Sequence, residues 1–170
     1  MTMLLPATGV KAPNLTYSVS QTKTFTTSRG VAVTAKIKRG SKIVGLVEDR
    51  GDGGALHVFF NTSEDGKKFA EYVAEWTWTW VNPYGGSEHS YNEEDVLNAL
   101  IQEELARVML NKYSAKGTVV TSDPIDAEPK LRVYRYKIEK GSTDAAGIAN
   151  LFALTPGDSV WNCKQWLTVV

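Results

Sequence analysis

The sequence predicts an α+β fold, a mainly antiparallel sheet packed by two main helices. Three observations carry this. Residues 31–38, VAVTAKIK, alternate apolar and polar side chains with the period of two that marks a half-buried strand. Arg39-Gly40-Ser41 and the GDGG run at 51–54 punctuate the strand-like runs around them as hairpin turns do. Behind Asn92, the residues Val96, Leu97, Leu100, Ile101, Leu105 and Val108 recur at helical spacing.

Residues 1–14 read as an extended arm, because Pro6, Gly9 and Pro13 break any helix. The Thr-, Val- and aromatic-rich run at 15–28 reads as one or two strands. With KIVGLVED and ALHVFF it forms a meander over residues 15–60. Asn61 or Ser63 is placed to cap a helix over 64–76, with Glu64 and Asp65 at its positive end and Phe69, Val73 and Trp76 at helical spacing. Gly66 weakens its first turn. The WTWTW run favours strand through its threonines, which sets Trp76, Trp78 and Trp80 on one face. Residues 82–86 read as a loop. The helix behind Asn92 spans roughly 93–113, and its apolar arc is interrupted by Glu104. GTVVTS, LRVYRYKIE and SVWNCKQWLTVV read as strands, and residues 142–154 as a short helix broken at Gly147.

The chain has 170 residues, 42% of them apolar, which suits one domain with a core that needs no disulfide or metal. Its single cysteine, Cys163, fits a reducing compartment. The N-terminus lacks the basic n-region of a signal peptide, and no window reaches the roughly 18 apolar residues of a membrane span. A cytoplasmic protein without a membrane partner is the expectation. Lys+Arg 19 balance Asp+Glu 19, but the charges are segregated. Residues 1–47 hold seven basic groups and no acid; residues 48–104 hold thirteen acids and three bases. Basic strands folding against acidic helices would account for this without any partner.

No catalytic constellation is evident. Cys163, His57 and His89 are the whole inventory for a Cys–His pair, and no nucleophile signature surrounds the cysteine, which reads as a structural thiol beside Trp161 and Trp166. There is no HExxH, CxxC or EF-hand loop, so neither metal nor cofactor is expected. GDGG stands between strands, where a phosphate loop needs a helix N-terminus after its glycines. Carboxylate pairs such as Glu71/Glu75 and Glu103/Glu104 leave a carboxylate-based enzyme open.

Two binding surfaces suggest themselves. Arg132, Tyr134, Arg135, Tyr136 and Lys137 interleave bases with aromatics, and Lys36, Lys38 and Arg39 extend that patch for nucleic acid if the two strands are neighbours. The plain alternative is an edge strand carrying solubilising cations. Trp76, Trp78, Trp80, Tyr84 and Glu88 suggest instead a protein interface, acidic and rich in hot-spot residue types. The plain alternative there is that the tryptophans cover the core. Self-association is open.

The run from Gly30 to Phe60, with K-I-V-G-x-V-E-D-x-G-x-G-G at 42–54 and the aromatic strand at 58–60, resembles small proteins of bacteriophages and mobile elements. It covers about a fifth of the chain and holds no catalytic residue to carry over. The resemblance implies a non-catalytic protein of the host-cell cytoplasm that binds a host protein, as an inhibitor of an enzyme or defence complex.

Overall fold

The computed structural model describes residues 3–82, 85–114, 119–121, 131–133, 159–161, 164 and 166–168; side chains at 78–89, 113, 119–121, 131–133 and 168 are outside that description. The fold is α+β. In chain order the elements are β1 (Met3–Leu4), β2 (Lys11–Ala12), β3 (Tyr17–Thr26), β4 (Val31–Arg39), β5 (Lys42–Asp49), β6 (His57–Phe60), α1 (Ser63–Ala74), β7 (Thr77–Asn82), β8 (Gly85–Ser90), α2 (Glu93–Ser114), β9 (Val119–Thr121), β10 (Leu131–Val133), β11 (Ser159–Trp161) and β12 (Trp166–Thr168). They form two compact units, one of residues 1–3 and 10–104, the other of residues 4–9 and 105–170, divided within α2.

In the first unit, β3, β4, β5 and β6 make a four-stranded antiparallel meander in sequence order. Tyr17, Val19, Ala35, Ile37 and Val47 are buried on its inner face, and α1 docks there through Phe69 and Tyr72. The Phe69 ring meets Tyr17 edge-on at 5.0 Å and lies 5.4 Å from Phe60. Gly66 is the reason Phe60 can come so close: a Cβ there would stand 3.3 Å from the Phe60 ring. A glycine that weakens the helix by propensity thus leaves room for the Phe60 ring. Val31, at the far end of β4, is exposed although its parity is that of the core residues.

The cap of α1 is Thr62, not Asn61 or Ser63. Its hydroxyl accepts from the Asp65 N–H at 3.1 Å and donates to Asp65 Oδ2 at 2.8 Å. The Asp65 carboxylate is buried, and its other oxygen pairs with Arg39 Nη2 at 3.3 Å. Three cap-forming residues stand in a row, and Thr62 is the one three residues before the aspartate that Arg39 anchors. Asn92 caps α2 as the sequence predicts, in a reciprocal pair with Asp95 (2.9 and 3.2 Å).

Trp76 follows α1 and precedes β7, so it is not part of the strand. It is 1% exposed and packs edge-on against Tyr72 and Tyr91. The strand face shared by Trp76, Trp78 and Trp80 is therefore corrected: β7 begins at Thr77 and pairs with β8, with Trp78 opposite His89 and Trp80 opposite Ser87. The loop read at 82–86 is shorter in the structure: β7 runs to Asn82 and β8 begins at Gly85.

Tyr72 donates its hydroxyl proton to the Asn14 carbonyl at 3.2 Å. Burial pushes its pKa up from 10.0 to about 12, and the neighbouring Glu75 carboxylate raises it as well. Between pH 10 and about 12 the unfolded chain ionises this group while the folded chain holds its proton, so stability is complete below pH 10 and falls as pH rises through that window. Denaturation midpoints measured across the window are expected to fall less steeply for Tyr72→Phe than for the wild type. Parallel curves would show that Tyr72 carries no such linkage.

In the second unit the strands run β10-β9-β11-β12, all neighbouring pairs antiparallel. The final strand-like run of the sequence is two paired strands, with Trp161 opposite Trp166. Among the described residues of this unit Ala7, Leu110 and Trp161 form a buried cluster. The Trp166 indole donates to the Ala7 carbonyl and the Trp161 indole to Asn111, each at 3.0 Å. In the N-terminal segment Leu5, Ala7 and Ala12 are buried, while Met3 and Leu4 are exposed. The short helix read at 142–154 lies outside the described residues. No described helix is long and apolar enough to cross a membrane.

Candidate functional site

The meander has two faces, and α1 covers one of them. Cross-strand register assigns the other face residue by residue. One row runs Ser20, Lys36, Leu46, Phe59; the next runs Lys23, Thr34, Glu48, His57. Beyond them Phe25 stands opposite Ala32, and at the opposite end Lys38 stands opposite Ser18 and Ile43. Opposed residues in a ladder share a face, so three lysines, one histidine and two phenylalanines occupy this surface with a single carboxylate, Glu48.

The face is open to solvent. Phe25 is 56% exposed, Phe59 55% and Ile43 40%. Lys23 and His57 are exposed; Lys36 and Lys38 are half-buried, as lysines are when the stem lies along apolar neighbours and the ammonium reaches water. β4 is an interior strand of the sheet, between β3 and β5. Cations that protect an edge from pairing belong on edge strands, so Lys36 and Lys38 are not explained that way.

Arg39 departs from the patch read in the sequence. Alternation along β4 leaves Lys38 on the open face with Lys36, while Arg39, on the inner face with Ile37, turns its guanidinium to the buried Asp65. Nor are the two basic strands sheet neighbours: β4 belongs to the meander and β10, which carries Arg132 opposite Val120, to the other four-stranded sheet. β10 is an edge strand there, where cations are commonplace. Tyr134, Arg135, Tyr136 and Lys137 lie outside the described residues.

No protein-family model, no curated protein and no solved structure matches this chain. The geometry of its own residues is therefore what bears on function.

Of the interface set read in the sequence, Trp76 is core and closed to a partner. Trp78, Trp80 and Glu88 sit on the β7–β8 ribbon with their side chains outside the description, and Tyr84 lies outside the described residues. Among the carboxylate pairs, Glu71 on α1 and Glu75 at its C-cap are exposed, and Glu75 accepts from Asn14 Nδ2 at 3.3 Å. Glu104 is buried and Glu103 half-buried, and both have interaction partners. Among the described residues no three His, Cys, Asp or Glu side chains gather where a metal ion could be held. Cys163 lies outside them. The residues that sequence reasoning missed are Phe25, Phe59 and Lys23. Phe25 and Lys23 follow an irregularity between Ser20 and Lys23, with Gln21 at φ 53°, that resets the parity of β3.

Proposed function

We propose that this chain is a non-catalytic binding protein whose working surface is the open face of the β3–β6 meander, and that its partner is a negatively charged macromolecule. The observation that carries the reading is the placement of Lys36 and Lys38 on an interior strand, on a face that also carries two exposed aromatic rings and a single carboxylate. Burying a phenyl ring that is more than half exposed releases free energy of about 25 cal/mol per Å² of apolar surface, and a basic face steers anionic partners toward it. The resemblance to small phage and mobile-element proteins adds the setting: a phage-borne chain acting on a host macromolecule in the host cytoplasm.

Retention on an immobilised polyanion such as heparin tests this. Lys36→Glu/Lys38→Glu is expected to elute at clearly lower salt than the wild type. Reversing Lys67 and Lys68, exposed on α1 away from this face, is expected to leave elution nearly unchanged. Equal shifts from both pairs would mean that overall charge, not this face, governs retention, and the reading would be abandoned.

A further inference from the structure

Resting on that reading of the open face, we infer that its partner is single-stranded nucleic acid. The arrangement of groups distinguishes this from an acidic protein. The two exposed rings lie on the two outer strands, Phe25 on β3 and Phe59 on β6, and each has a lysine in reach: Lys36 shares a cross-strand row with Phe59, across Leu46, and Lys23 lies two residues before Phe25 on the same strand. Opposed strands are about 4.8 Å apart and successive same-face residues on a strand about 6.8 Å apart. Lys23 therefore stands one same-face step from Phe25, and Lys36 two strand spacings, about 10 Å, from Phe59, so a strand crossing the face can stack bases on the rings while its phosphates meet the lysines. Stacking accepts any base, because every base has a π-face.

The floor between the rings is polar. Ser20, Thr34, Lys36 and Glu48 occupy it, with Ala32 beside Phe25 and Leu46 beside Phe59 as its aliphatic side chains; Ser18, Lys38 and Ile43 form the row beyond. A stable protein interface has a contiguous apolar core within roughly 800 Å² per partner, and this surface has separated rings instead. Duplex DNA is disfavoured by shape. Its major groove admits a helix or a two-stranded ribbon, whereas the broad face of a four-stranded sheet cannot enter it. Hydroxyls and the His57 imidazole supply hydrogen-bonding groups for base edges and sugars.

Fluorescence anisotropy of the full chain with a labelled oligo(dT), titrated at several salt concentrations, tests the inference. Wild type is expected to bind, with affinity falling as salt rises. Phe59→Ala is expected to weaken binding about ten-fold, and Phe25→Ala similarly. Both side chains lie on the uncovered face, so circular dichroism should show an intact fold. Lys36→Glu/Lys38→Glu is expected to flatten the salt dependence, by about 0.7 in log–log slope for each phosphate that is no longer neutralised. Polyglutamate is the second probe. If it binds in a Lys36/Lys38-dependent manner while oligo(dT) does not, the anionic-partner reading stands and the nucleic-acid inference falls. If neither polymer binds in that manner, both fall. Oligo(dT) binding that is indifferent to Phe25→Ala and Phe59→Ala overturns the inference as well.

Discussion

Phe69→Ala is expected to lower the stability of the first unit by about 3–5 kcal/mol, the usual cost of deleting a buried phenyl ring. Phe69 is 0% exposed and is the shared neighbour of Tyr17, Phe60 and Tyr72, at ring distances of 5.0, 5.4 and 6.0 Å. Its removal leaves three aromatic rings facing a void that they are too stiff to fill. α1 has 12 residues, a length at which helices are marginal without tertiary support, so its hold on the sheet depends on this packing. Against a typical total of 5–15 kcal/mol, the loss is a large share of the unit's stability. Urea unfolding followed by far-UV circular dichroism reads it. Phe69→Leu is expected to cost less than half as much. A loss below about 1 kcal/mol for the alanine variant would mean that the ring cluster does not hold helix and sheet together.

Much of the first unit was legible in the sequence because its signals are local and agree. Alternation in VAVTAKIK, the Gly40 turn and the GDGG turn specify β4, β5 and β6 without reference to anything distant. The same holds for α2, where Asn92 and the three acids after it mark the start unambiguously. The features that local signals do not reveal depend on partners elsewhere in the chain. β8, GGSEHS, has no β-branched or aromatic residue; it is a strand because β7 offers it a register. Thr62 caps α1 because Asp65 is held by Arg39, far earlier in the sequence. The division into two units has no Gly/Pro-rich linker to announce it, since it falls inside a continuous helix.

The site was half legible for the same reason. Period two placed Lys36 and Lys38 correctly on the polar side of their strand. Arg39 looked like a continuation of that patch because adjacency in sequence resembles adjacency in charge, yet neighbouring strand residues point to opposite faces. Phe25 and Phe59 carried no signal of exposure. An aromatic residue on a strand is ordinarily core, and only the covering of one face by α1 shows which rings lie on the other.

The second large effect is expected at Gly51, and it joins fold to site. Gly51 is buried at φ 66°, and a Cβ there would fall 2.5 Å from the Ala32 nitrogen and 2.6 Å from the Val31 carbonyl carbon. The loop is fixed from two sides: Asp49 Oδ1 accepts from the Gly51 N–H at 2.7 Å, and the Thr27 hydroxyl lies 3.0 Å from the Gly51 carbonyl oxygen. The clashing atoms are backbone of β4, itself paired with β3, so neither side yields easily. Gly51→Ala therefore incurs a left-handed conformation, about 1–2 kcal/mol, and a displacement of packed backbone, about 1–3 kcal/mol more. Gly40 separates the two contributions. Its φ is 58°, nearly the same, but nothing lies within 4 Å of its added Cβ, so Gly40→Ala is expected to cost only the first. Denaturation midpoints of the two variants, compared with wild type, give the steric contribution by difference; equal losses would show that the close approach of Gly51 to β4 carries no energy. Ala32 also stands opposite Phe25, so a shift of β4 at Gly51 displaces one of the two exposed rings. Gly51→Ala is accordingly expected to weaken oligo(dT) binding even under conditions where it remains folded, and Gly40→Ala, at the turn beyond Lys38, is expected to leave the Phe25 contribution intact.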